Sequence, residues 1–190
     1  MLTDESVTVT DAELVRDCQK GDRIAFRQLY QRYQQRVRST LYQLCGEQLL
    51  DDLVQEVFLR TWKGLPKLRQ PSTFSTWLYR ICWNVANDQR RQFARLKAEK
   101  SHHQQAVNPT MTGQQNAPNL MHLYYQDLVQ QGLETLSFEH RAVLVLHDLE
   151  DLPQKEVAKI LAIPVGTVKS RLFHARTAMR QFLEQQGVSL

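Results

Sequence analysis

Three groups of side chains in this 190-residue sequence have types and spacings that could do chemistry or recognition. The first is acidic: Glu47, Asp51, Asp52 and Glu56, with Gln55 beside them, lie along one side of a helical stretch. Carboxylates so placed could hold a metal ion or work as an acid–base pair. No His or Cys lies in the same helix to complete a metal set. No phosphate-cradling loop serves them either, since no two of the seven glycines are closer than eighteen residues. A solvated acidic face is the plainer alternative. The second group, Tyr79, Arg80, Trp83, Asn84 and Asn87 followed by Arg90 and Arg91, interleaves aromatic and cationic side chains. That mixture suits single-stranded DNA, because any base stacks on a ring while cations hold the backbone. The third is basic: Lys169, Arg171, Arg176 and Arg180, with no Asp or Glu between Val165 and Leu183. Four cations without an acidic partner suit a phosphate backbone, and cations on the early turns reach base edges.

Helices must position all three groups. Thr10 with Glu13 forms a capping box that starts a first helix, and Gly21-Asp22 ends it. A second spans about Ile24 to Leu44, stopped at Gly46, and a third Glu47 to Trp62, with Leu49, Leu50, Leu53, Val54, Val57 and Phe58 on its apolar face. Gly64, Pro66 and Pro71 punctuate a loop; from Phe74 the apolar residues Trp77, Leu78, Ile81 and Val85 define a fourth helix. Trp77, on that seam, is read as core. Residues 98–123 contain no periodicity and read as a flexible linker between domains. From Tyr124 the helical pattern resumes. Ser137 caps one helix, Pro153 opens another and Pro164 a last, whose seam is Val168, Leu172, Ala175, Met179 and Leu183. Val143–Leu146 could pass for a strand, but its flanks are helical in pattern. The expectation is an all-α chain of two small helical domains, 11–97 and 124–185, with tails at 1–10 and 186–190.

Hydrophobic residues at 42% and charged residues at 23% are the balance of an ordinary soluble protein, and the net charge of +4 leans towards a polyanionic partner. Cys18, Cys45 and Cys82 are far apart, so neither a disulfide framework nor a zinc site is expected. No signal peptide or membrane span is read, and a cytoplasmic location follows. No catalytic residue, cofactor or metal is expected.

Lys155–Leu161, Ala162–Pro164 and Val165–Met179 make helix, tight turn, helix, a unit that holds its second helix out for the major groove. The run Ile163-Pro164-Val165-Gly166-Thr167-Val168-Lys169-Ser170-Arg171-Leu172, followed by Ala175-Arg176, resembles region 4 of extracytoplasmic-function RNA polymerase sigma factors. Two departures are visible: Ala162 replaces the usual glycine of the turn, and His174 replaces an arginine. Asp52-Leu53-Val54-Gln55-Glu56-Val57-Phe58 resembles sigma region 2.2, and Phe74-Ser75-Thr76-Trp77-Leu78-Tyr79-Arg80-Ile81 with Asn84 resembles regions 2.3 and 2.4. The resemblance implies a sigma factor rather than an enzyme, binding core RNA polymerase (β′ coiled coil and β flap) and promoter DNA, restrained by an anti-sigma factor and monomeric when free. It implies that Asp51, Asp52, Gln55, Glu56 and Phe58 meet the polymerase. Tyr79, Arg80, Trp83, Asn84, Asn87, Arg90 and Arg91 would meet the −10 element, with the loop residues Lys67, Arg69, Gln70, Ser72 and Thr73 around a flipped base. Gly166, Thr167, Lys169, Ser170, Arg171, His174 and Arg176 would meet the −35 element. A stand-alone helix-turn-helix regulator and a helical metalloenzyme using Asp51, Asp52 and Glu56 are the alternatives; the first lacks any sensing-domain pattern in the N-terminal half, and metal analysis decides the second.

Overall fold

The structure, a computed structural model, describes residues 9–100 and 120–188, and only the backbone of residues 97–100 and 120–123. Helices α1 (Asp11–Gln19), α2 (Arg23–Cys45), α3 (Leu50–Gly64) and α4 (Phe74–Lys100) form a first bundle. Helices α5 (Leu120–Thr135), α6 (Phe138–Leu144), α7 (Gln154–Leu161) and α8 (Val165–Gln185) form a second, and no strand occurs among the described residues.

The helix boundaries follow from local chemistry. At α1 the Thr10 hydroxyl accepts from the Glu13 amide while the Glu13 carboxylate accepts from the Thr10 amide, the reciprocal cap read from the sequence. Gly21, at φ 96°, turns the chain into α2, whose first amides donate to the Asp22 carboxylate. The third helix starts at Leu50 rather than at the expected Glu47. The Leu50 amide donates to the Glu47 carbonyl in a turn, and Leu49 sits at φ 60°, outside helical geometry. Glu47 therefore precedes the helix that carries the other acidic residues. Two short 3₁₀ turns, Leu65–Lys67 and Pro71–Thr73, bridge α3 and α4. The Gln19 side chain donates to the Leu65 and Leu68 carbonyls at 3.0 and 2.8 Å, tying this loop to α1.

The first core packs Leu29, Val37 and Leu41 of α2 against Val57 of α3 and Phe74, Leu78 and Cys82 of α4. Burying each large aliphatic side chain contributes about 1.5–3 kcal/mol. The second core, continuous with the first in one apolar cluster, joins Leu133, Val143, Leu146, Val157, Ile160, Val168 and Leu172. The ambiguous Val143–Leu146 stretch is helical: α6 continues into one wider π-type turn, Val145–Leu149, with the Glu150 amide donating to the Val145 carbonyl. Helix α7 packs on α4, and α2 meets the π-type turn, so the two bundles touch directly. Helix α4 runs to Lys100 and α5 begins at Leu120, each extending into the expected linker. The remainder of that linker, 101–119, and residues 1–8, 189 and 190 lie outside the described residues.

Candidate functional site

The helix-turn-helix is built on α7 and α8. Helix α7 ends at Ala162 in left-handed geometry, φ 55° and ψ 45°, and the Ile163 amide closes back on the Ala158 carbonyl at 3.1 Å. Pro164 then starts α8. The position where a glycine would cost nothing is thus filled by alanine in the geometry that glycine favours. Val168, Leu172 and Ala175 are buried and face the second core, so Gly166, Lys169, Ser170 and His174 stand exposed on the opposite side. Thr167 and Arg171 are half-buried between these faces. The expectation that the α8 cations lack an acidic partner needs correction at Arg176. Its guanidinium makes a two-pronged ion pair with Asp148 of the π-type turn, Nε to Oδ2 at 2.9 Å and Nη2 to Oδ1 at 2.5 Å. The His174 ring faces His140 across a centroid separation of 6.0 Å.

The acidic face lies on α3. Asp51, Asp52 and Gln55 are exposed, and Glu56 is half-exposed. Asp51 is paired with Arg38 of α2, and Glu56 with Arg60 at 2.7 Å, which also reaches Asp88 of α4 at 2.9 Å. Asp52 and Gln55 carry no such partner among the described residues. Phe58 differs from expectation: it is 6% exposed and packs on Tyr30 at a centroid distance of 4.5 Å, so it offers a partner almost no surface. Its side chain turns inward, where Tyr30 of α2 covers it. Leu59, 46% exposed, lies within the stripe three residues after Glu56, with Trp62, 37% exposed, at its edge. The spacing 52, 55, 56, 59 carries that signal in the sequence, although it is Phe58 and not Leu59 that belongs to the resembling motif.

The third surface is α4 with the loop before it. Lys67, Arg69, Gln70, Ser72 and Thr73 are all exposed, and the Thr73 hydroxyl donates to the Gln70 carbonyl at 2.8 Å, closing the loop on itself. Arg80, Asn84, Asn87 and Arg91 follow one another on a single open or half-open stripe of α4. The neighbouring stripe is occupied. Tyr79 is 3% exposed and its hydroxyl donates to Glu150 at 2.7 Å. Trp83 stacks on Phe138 at 5.0 Å, while Arg90 lies 4.8 Å over the same ring and 3.3 Å from Glu139. Trp77 is half-buried against Phe74, as a core residue should be.

Other chemistry has little to work with. Burial pushes the Cys18 and Cys45 thiols up to about 11, and Cys82 further, so none supplies a thiolate at neutral pH. Among the described residues no three His, Cys, Asp or Glu side chains converge to hold a metal, and no helix is long and apolar enough to cross a membrane.

Comparison with known proteins matches residues 29–96 to sigma-70 region 2 and residues 126–179 to sigma-70 region 4. The ECF RNA polymerase sigma-E factor of Escherichia coli K12 is 36% identical over 92% of this chain and 94% of its own length. That of Haemophilus influenzae is 30% identical over 88% of this chain and 92% of its own. Among solved structures, CnrH in complex with the cytosolic domain of CnrY superimposes with a TM-score of 0.67 at 25% identity, covering 92% of this chain and 97% of that one. RpoE in complex with the anti-sigma factor NepR from Bartonella quintana gives 0.68 at 22% identity, covering 84% and 96%. With a region 2 bundle and a region 4 helix-turn-helix in the family's order, this chain belongs to the extracytoplasmic-function sigma factors of the sigma-70 family.

Proposed function

We propose that this sigma factor joins core RNA polymerase through the α3 face and reads promoters with two separate surfaces. The observation that carries this is the pairing, on one chain, of an open acidic stripe on α3 with a recognition helix that carries no acid from Val165 to Leu183 and is held out by the Ala162 turn. Asp52, Gln55 and Glu56 make polar contacts to the β′ coiled coil, with Asp51 at the margin and Leu59 taking the apolar role first given to Phe58. A groove of about 350 Å³ between Val129, Leu133, Leu144, Met179 and Leu183 would take the β flap.

At the promoter, α8 enters the −35 major groove. Lys169, Ser170 and Arg171 reach base edges and phosphates, His174 and Arg176 add flanking contacts, and the backbone amides at Gly166 and Thr167 meet a phosphate. On region 2, Arg80, Asn84, Asn87 and Arg91 follow the −10 DNA. Tyr79, Trp83 and Arg90 join them, and the Lys67–Thr73 loop captures an unstacked base, offsetting part of the cost of opening the duplex. Each reader is small, and mounting both on the polymerase raises their effective concentration on one promoter. No covalent step is involved and the chain is not an enzyme. An anti-sigma protein is its regulatory partner, a reading supported by the sigma factor RpoE, which is seen with the anti-sigma factor NepR.

The test is co-elution of the purified chain with bacterial core polymerase on a sizing column. Asp52→Lys and Glu56→Lys run beside it, the first because Asp52 has no ion-pair or hydrogen-bond partner among the described residues whose loss could disturb the fold. Co-elution lost in both variants, with helix content intact, is the expected outcome. A wild-type chain that elutes alone would favour the stand-alone regulator instead.

A further inference from the structure

A cleft of about 560 Å³ lies between α2, the turn before α3, and α5. Gln43 of α2 and Gln130 of α5 line it, and each carries a buried amide oxygen with no hydrogen-bond partner. Gln130 is only 7% exposed, and its amide cannot be turned round. Its Nε2 donates to the Tyr42 carbonyl at 3.4 Å and to the Glu134 carboxylate at 3.3 Å. Exchanging the two atoms would set oxygen against two oxygens, so Oε1 is the atom left open. A buried acceptor without a donor is costly, and two of them on the helices that flank one cleft mark a place where a donor belongs.

The charge around the cleft has one sign. Glu47 lines it, exposed and without a hydrogen bond or ion pair among the described residues. Asp127 and Glu134 stand on α5 with only amide partners, Gln131 and Gln130. Burial and the fields of Glu47, Asp127 and Glu134 together hold the Tyr42 phenol above its usual range, so all three carboxylates act on one ring of the lining. The nearby cations do not cancel them. Arg38 is paired with Asp51, and Arg141 donates to the backbone carbonyls of Leu44 and Glu134. The exposed rings of Tyr42 and Tyr125 complete the lining, and a cation rests favourably on such faces.

These features select among ligands. The carboxylates do not converge as a metal site requires. A guanidinium wants two acceptors side by side in its planar fork, whereas here the acceptors come singly from α2, α5 and the turn before α3. An ammonium group has three donors and no acceptor, and several of them on one flexible chain suit scattered acceptors. We propose that this cleft binds a linear aliphatic polyamine, its ammonium groups donating to the Gln43 and Gln130 amide oxygens and to the Glu47 carboxylate beside the two tyrosine rings. A ligand so held joins α2 to α5 and stabilises the folded chain by mass action. The site depends on neither the polymerase reading nor the promoter reading.

The test is isothermal titration of the full chain with spermidine at constant ionic strength, beside Glu47→Gln and Gln130→Leu, with circular dichroism to confirm helix content. Magnesium chloride and n-butylamine, which carries a single ammonium, are the control ligands. The expected result is one spermidine per chain, bound about tenfold more weakly by Glu47→Gln and weakened also in Gln130→Leu. Should Gln130→Leu lose helix content, Glu47→Gln decides alone, since Glu47 has no partner to lose. A wild-type chain that takes up no spermidine, or a Glu47→Gln variant that binds it equally well, would overturn the site. Displacement by magnesium at matched ionic strength would reduce it to diffuse charge. Equal binding of n-butylamine would overturn the polyamine and leave a pocket for one ammonium, such as a lysine side chain.

Discussion

At the scale of single residues, the recognition helix shows how a charge inventory can mislead. No acid lies between Val165 and Leu183 of α8, yet Arg176 is neutralised by Asp148, which comes from a turn 28 positions earlier in the chain. Sequence spacing reports i,i+4 partners and is silent about partners delivered by tertiary packing. The same limit applies to Phe58, whose motif position suggested a contact surface and whose helical angle buries it. Exposed members of the set, Lys169, Ser170, Asp52 and Gln55, were legible because their apolar neighbours fix which face is inward. The ion pair yields a prediction. Asp148→Ala releases the Arg176 guanidinium and adds about one phosphate contact, so the slope of log affinity against log salt for mixed duplex DNA steepens by about 0.9. A titration showing the same slope for variant and wild type would mean that Arg176 does not face DNA. Arg171→Ala, by contrast, should lose about 1–3 kcal/mol of base discrimination near −35, measured as the affinity ratio between promoter and scrambled duplexes.

At the scale of elements, the caps were the most legible feature because they are written in adjacent residues. Thr10–Glu13, Ser137 and Pro164 all start helices where their chemistry requires. The start of α3 and the π-type turn after α6 were not legible, since neither a left-handed leucine nor an extra helical residue has a composition signal. Ser137 accepts from the His140 amide, and Ser137→Ala should cost about 1 kcal/mol of stability by losing that cap. Ala162 offers the opposite case. A left-handed alanine costs about 1–2 kcal/mol, whereas glycine adopts the geometry freely but loses about 0.5–1 kcal/mol to its looser unfolded chain. Ala162→Gly should therefore stabilise the fold by about 0.5–1 kcal/mol, raising the melting temperature by roughly 2 °C. A lower melting temperature in the glycine variant would contradict the strain argument.

At the scale of the whole molecule, the two-bundle order was legible and the contact between bundles was not. Hydrophobic periodicity identifies the face of each helix that turns inward, whereas the seam is made by Thr40, Thr76, Tyr79, Arg90, Glu139, Glu150 and Glu156, residue types ordinarily read as solvated. A consequence is that the halves should unfold together, all the more because their buried apolar residues form one continuous cluster. Buried Tyr79 loses its acceptor, Glu150, if region 4 melts first, and leaving that donor unsatisfied costs about 1–3 kcal/mol until water reaches it, whereas Thr40 keeps the Arg36 carbonyl. That penalty couples the two transitions. Scanning calorimetry of the wild-type chain should show one endotherm whose calorimetric and van't Hoff enthalpies agree. Glu150→Lys removes the shared acceptor and places a cation beside the same hydroxyls, so its endotherm should broaden or split as each bundle melts independently. Two resolved endotherms already present in the wild type would show that the seam transmits no stability between the bundles, and that each is held by its own core alone.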